Sequence, residues 1–289
     1  MSWLALEDMA RFEPLRGNAD TLQQRRLEDI RDAGYDGVQF DVEYSNRQLA
    51  ACRSLGLSMA ASGRVNEPEE AGPLAERLAG DGFPCATLHV GWGLESDEQA
   101  CRLIEAVLSA SERHSVPLYI ETHRATIFQD AWRTVAFLAR YPQIRVNGDF
   151  SHWYTGLEFV YGGFEKKLQF IQPVLERVRF LHGRIGNPGC MQVDIGDGDE
   201  TVHPYVAHFR ALWTRSMEHF LSQAAPSDSL YFVPELLSPR IYYGRTFPDA
   251  QGCPREECDR WSQSLVLCGL AQRCFMEAQQ RLTKRPSQS

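Results

Sequence analysis

The sequence predicts a single (β/α)8 (TIM) barrel, and three features point there. Short apolar runs rich in strand-forming residues alternate with longer stretches of helical period. No change of composition divides that alternation into separate units. No glycine-rich phosphate turn follows the first strong run, although an open doubly wound sheet usually carries one there. Barrels of about 250 residues are routinely single domains. The chain of 289 residues is therefore read as one domain over 1–285 with a frayed tail at 286–289.

In order along the chain, a weak apolar run at 4–6 precedes a helical stretch at 22–33. The run at 37–40 leads to the helix 47–55, and that at 57–60 to the helix 68–79. The runs 85–90 and 116–121 precede helices over 97–114 and 131–140. The run 144–149 precedes a helix over 164–177, 178–182 precedes 206–224, and 230–235 precedes a long helix near 256–281. Counting the weak first run gives eight strands. One long irregular stretch, 183–204, contains Gly186-Asn187-Pro188-Gly189 and Gly196-Asp197-Gly198-Asp199-Glu200. Its length and glycine content predict a loop over part of the barrel mouth, acting as a lid that keeps water out. Asp194, Asp197 and Asp199 lack the spacing of a calcium loop and are read as a solvated acidic turn.

Composition excludes several roles. Thirty basic against 38 acidic residues leave a net charge of −8, which argues against a broad nucleic-acid face and against attraction to anionic membranes. No window approaches 18 consecutive apolar residues, and residues 1–8 are acidic with no basic start, unlike a signal peptide. A cytoplasmic protein with a small-molecule substrate is expected, and a homo-oligomer is left open. The cysteines at 52, 85, 101, 190, 253, 258, 268 and 274 are read as reduced thiols. They contain no CxxC pair to complete a structural zinc site.

In such a barrel the site is built at the carboxyl ends of the strands. Four of the apolar runs close on a residue able to bind metal: Glu121, Asp149, His182 and Glu235. Three carboxylates and an imidazole make a hard, mostly oxygen donor set, suited to Mn²⁺, Mg²⁺ or Co²⁺ and able to hold Zn²⁺. Four such groups converging on one mouth need a cation.

These residues resemble the xylose isomerase-like barrels, which include sugar epimerases, sugar-phosphate isomerases, inosose dehydratases and apurinic endonucleases. The matching pieces are Glu121-Thr122-His123-Arg124, Asp149-Phe150-Ser151-His152-Trp153, His182-Gly183-Arg184 and Glu235. Their order is similar to the metal frame of the ketose 3-epimerases. The resemblance implies one divalent ion held by Glu121, Asp149, His182 and Glu235, with Glu121 and Glu235 as acid and base. Elementary chemistry agrees. Removing a proton next to a carbonyl leaves an enediolate, whose charge a metal ion stabilises. A carboxylate on either face takes the proton and returns it.

By the same resemblance His152 contacts substrate. Arg184 is positioned to grip a hydroxyl or phosphate. The epimerases carry their arginine six residues after the histidine, where this chain has Pro188. His89, before Gly91-Trp92-Gly93, and His123 are further candidate substrate contacts, while Trp92, Trp153 and Tyr154 are candidates for an apolar wall. The leading reading is a metal-dependent isomerase or epimerase of a small sugar, sugar phosphate or polyol. A lyase of the inosose dehydratase type uses the same frame. An apurinic-site endonuclease needs a histidine where Ala60-Ala61-Ser62-Gly63 stands and a later Asp-x-His pair that the chain lacks. A binding module without catalysis is disfavoured by retention of the whole frame.

Overall fold

A computed structural model describes residues 1–15 and 17–284. Among these, seven parallel strands lie side by side in sequence order. They are β1 (Gly37–Asp41), β2 (Ser58–Val65), β3 (Ala86–Val90), β4 (Leu118–Glu121), β5 (Val146–Gly148), β6 (Val178–Gly183) and β7 (Tyr231–Pro234). Residues 1–3 take the eighth position. Gln39 N–H donates to the Met1 carbonyl (2.9 Å), Trp3 N–H to the Gln39 carbonyl (2.8 Å), and Ser2 N–H to the Pro234 carbonyl (3.3 Å). The stretch 4–6 is therefore not the strand expected of it. Once residues 1–3 have bridged β1 and β7, Leu4–Leu6 turns into a 3₁₀ helix that buries Ala5 and Leu6.

The strands alternate with α1 (Ala19–Asp32), α2 (Asn46–Leu55), α3 (Pro68–Asp81), α4 (Asp97–His114) and α5 (Ala131–Arg140). Their ends are set locally. Ser45 with Gln48 and Ser96 with Gln99 form capping boxes on α2 and α4. Three stretches depart from expectation. A short helix, α6 (Phe150–Gly156), starts directly after β5, with the Asp149 carboxylate accepting from Ser151 N–H at its first turn. The helix expected over 164–177 is two, α7 (Phe164–Phe170) and α8 (Gln172–Leu175), because Pro173 lacks the N–H that would continue the ladder. After α9 (Tyr205–Gln223), residues 254–256 pair antiparallel with 246–248 as the hairpin β8 (Thr246–Pro248) and β9 (Pro254–Glu256). The last helix, α10 (Arg260–Thr283), consequently begins at its Asp259 cap. The expected tail at 286–289 lies outside the described residues.

The barrel interior is layered. At the floor Ala60, Cys85, Phe180 and Val233 cluster with Tyr119 and Tyr231, the Phe180 and Tyr231 rings stacked at 5.5 Å. Two residues further along the same strands stand Ser62, Thr87, His182, Glu235 and Glu121. A strand's side chains repeat every second residue, so one face of each strand supplies both layers. β5 keeps step only through an irregularity. Val146 pairs with Val178 but Asn147 pairs with Phe180, leaving Arg179 as an extra residue on β6.

The loop 183–204 lies at the carboxyl end of the sheet and is pinned there. Gln192 exchanges two hydrogen bonds with the Leu237 backbone, and Gln263 of α10 bonds to Ile195 N–H and the Gly196 carbonyl. Asp194, Asp197 and Asp199 each accept a backbone N–H two residues ahead, as the acidic-turn reading expects. No helix among the described residues is long and apolar enough to cross a membrane, and all eight cysteines are free.

Candidate metal centre

Glu121 closes β4, Asp149 follows β5, His182 is the last residue but one of β6 and Glu235 follows β7. These strand ends bring the four side chains together, with one potential ligand atom from each mutually within 4.8 Å. His182 organises the group. Its Nδ1 lies 3.4 Å from Glu121 Oε2, 3.4 Å from Glu235 Oε2 and 3.8 Å from Asp149 Oδ2. Its Nε2 is 3.0 Å from Gln39 Oε1, and Gln39 spends its own amide N–H on Thr87 Oγ1 (2.9 Å). With Nε2 as donor to Gln39, the neutral ring turns the Nδ1 lone pair toward three carboxylates. A cation, whether a proton or a metal ion, balances the three carboxylates that this nitrogen faces.

Asn147 donates to Glu121 Oε2 (2.9 Å) and also stands 3.2 Å from His182 Nδ1. Glu121 Oε1 lies 3.3 Å from His89 Nε2 and, though buried, accepts no hydrogen bond. Arg184, 1 % exposed, ion-pairs with Asp149 through Nη2, which is also 3.2 Å from Glu235 Oε2. Its Nε donates to Ser151 Oγ (3.0 Å), whereas its Nη1 is buried with no partner. Arg184 Nη2 is 3.1 Å from His152 Nε2. With that nitrogen accepting, the ring proton falls on Nδ1, which is likewise buried and unpartnered.

Charge shapes the protonation states. Burial opposes ionisation of Glu121, but His182 and His89 outweigh it and hold the carboxyl well below its usual range. Burial raises Glu235, more than His182 and Arg184 lower it. Burial alone would lower His182, yet Glu235 and Glu121 lift it to about 9. Burial, with Arg184 adding to it, pushes His152 well below the normal histidine value.

The candidate substrate contacts line up beside this frame. The rings of His89, His123 and His152 follow one another at centroid spacings of 4.0 and 3.9 Å. Tyr243, from the segment after β7, reaches over them. Its hydroxyl is 3.1 Å from His123 Nε2, and its ring takes the guanidinium of Arg184 at 4.8 Å and that of Arg124 at 5.0 Å. Trp153 and Tyr154, offered as a wall, are instead buried packing under α6, with Trp153 Nε1 donating to the Phe128 carbonyl. Trp92 is exposed.

No protein-family profile matches the chain, and no curated protein matches it. Solved structures do. A xylose isomerase domain protein from Planctomyces limnophilus superposes over 86 % of this chain and 93 % of its own, at TM-score 0.55 and 15 % identity. The fold is that of a xylose isomerase-like barrel. The probable 3-DHS dehydratase AsbF of Bacillus anthracis matches 57 % of this chain and 68 % of its own, at 16 % identity and TM-score 0.43.

Within this barrel, three neighbours of the frame carry no charge at a strand end and are not singled out by the sequence. Gln39 and Asn147 are polar residues buried inside apolar strands, and that misfit was the available signal. Tyr243 had none, because its place depends on the path of an irregular segment. The loop 183–204 contributes Arg184 to the centre, while the side chain covering that arginine is Tyr243.

Proposed function

We propose that the protein is a divalent-metal-dependent isomerase or epimerase of a small sugar, sugar phosphate or polyol. The observation that carries this reading is the His182 nitrogen faced by three carboxylates while its other nitrogen is committed to Gln39. The donor set fits one divalent ion. Once the ion displaces the His182 proton, three carboxylates against the single guanidinium of Arg184 leave two net negative charges for it to meet. The orphaned Glu121 Oε1 supplies a further free lone pair. Glu121, Asp149, His182 and Glu235 would hold the ion, which supplies Lewis-acid stabilisation of a developing oxyanion.

The chain's own groups do the rest. Glu121 and Glu235 come from non-adjacent strands, β4 and β7, and reach the same centre from two sides. One carboxylate takes the proton next to the substrate carbonyl and the other returns a proton at the neighbouring or same carbon. Arg184 holds the Asp149 carboxylate in place through a buried ion pair. The free N–H groups of His152 and Arg184 are donors for substrate oxygens. Tyr243 and the histidine row shield the reacting carbon from water.

The test is metal analysis of Mn²⁺-loaded protein, followed by ¹H NMR of ketoses, sugar phosphates and inososes in D₂O. One equivalent of metal and deuterium incorporation beside a carbonyl are expected. Loss of water from the substrate would move the assignment to a lyase. Glu121→Gln and Glu235→Gln should each keep some metal and lose about 10²–10⁴-fold in kcat. If both variants turn over substrate at wild-type rates with metal bound, the two-glutamate mechanism is wrong.

A further inference from the structure

The loop after β3 holds an exposed tryptophan on a fixed backbone. Trp92 is 54 % exposed, yet its backbone N–H donates to Glu95 Oε1 (2.6 Å) and that of Gly93 to Glu95 Oε2 (2.7 Å). The Gly93 carbonyl accepts from Gln129 Nε2 (2.8 Å). Gly91 and Gly93 both have positive φ, 65° and 80°, and a Cβ on either would strike the Glu95 carboxyl or the Gln129 amide within 2.7 Å. The indole is backed by the Arg64 guanidinium, 4.0 Å from the ring centroid. Arg64 in turn bonds to the Gly91 carbonyl (2.8 Å) and lies 3.3 Å from His89 Nδ1. His89 reaches Glu121 Oε1 at 3.3 Å, so an unbroken run of contacts joins the metal centre to this ring.

A loop that only connects β3 to α4 gains little from ordering an indole whose Arg64-stacked face is covered and whose other face stays in water, since ordering the free face costs entropy without burial. A pre-ordered aromatic face at the mouth lowers the cost of binding something flat and partly apolar. We infer that Trp92 is a stacking platform for a second ring of the substrate, which is therefore a glycoside rather than a free monosaccharide. One sugar reacts at the metal centre while its neighbour lies on the indole. This rests on the sugar reading above.

The experiment compares binding of D-glucose and D-fructose with that of maltose, cellobiose and lactulose. Titration calorimetry is run on Mn²⁺-loaded full-length wild type, Trp92→Ala and Trp92→Phe. At least one disaccharide should bind wild type roughly three- to tenfold more tightly than its component sugars, the range expected for one aromatic contact. Trp92→Ala should erase that gain with monosaccharide affinity and metal content unchanged, and Trp92→Phe should restore part of it. Equal binding of both sizes to wild type, or a gain that survives in Trp92→Ala, overturns the platform and leaves the isomerase reading standing. Failure of every sugar to bind the loaded protein overturns both.

Discussion

The two layers inside the barrel sit two residues apart on the same strands and have opposite chemistry. Tyr119, Cys85, Phe180 and Val233 make an apolar floor, and Glu121, Thr87, His182 and Glu235 stand directly above. The floor satisfies itself by packing, with its rings in stacked or tilted contact. The upper layer is never self-sufficient, since it gathers three carboxylates, one guanidinium and several polar atoms without partners. One layer is built for stability and the other for a ligand, and residues two apart on each strand divide the work.

The sharpest way to break that division is at the floor. Phe180→Ala removes a fully buried ring and should lower unfolding free energy by about 3–5 kcal/mol in urea titrations. The folded fraction should still bind Mn²⁺ within a fewfold of wild type. A large loss of metal affinity with no loss of stability would show that the layers are not separable.

The converse change lies one layer up. Gln39→Leu removes the partner of His182 Nε2 and frees the ring to take the other tautomer. Metal affinity should fall about 10–100-fold, read by competition with a chelator, for a change that leaves the floor untouched. An unchanged affinity would mean that Gln39 does not orient the ligand.

The smallest effect concerns the histidine row. Burial, reinforced by His152 and His89, lowers His123 to about 2, whereas an unfolded histidine titrates near 6.5. Below pH 6.5 the unfolded chain takes up a proton that the folded one refuses. Stability is therefore lost as pH falls through 6.5 and is fully present above it. Relative to wild type, His123→Gln should remove about 1 kcal/mol of the destabilisation between pH 6.5 and 5.5 in chelated protein. Parallel pH profiles for the two proteins would place His123 outside the buried row.

The fold was legible because each strand run and most helices carry their own signal, as with the capped ends of α2 and α4. The weak run 4–6 failed because three residues before it satisfied the open strand edges first. Glu121, Asp149, His182 and Glu235 were readable as charges closing apolar runs. Gln39 and Asn147 were passed over because an uncharged amide inside a strand looks like noise until its partners are known. Tyr243 and the exposure of Trp92 belong to loop geometry, which period and composition do not encode.

The extra residue on β6 sets where this chain tolerates changes of length. Because Arg179 is looped out of step, Gly148 pairs with Leu181 and Asp149 comes level with His182. Deleting Leu181 would put Phe180 and His182 on opposite faces of the strand, so that either the floor loses a ring or the centre loses its histidine. Insertions between α7 and α8 or within the β8–β9 hairpin displace no residue of either layer. Gaps in the chain's natural variants should therefore crowd into the connections and spare the three residues from Phe180 to His182, a pattern set by counting rather than by side-chain identity.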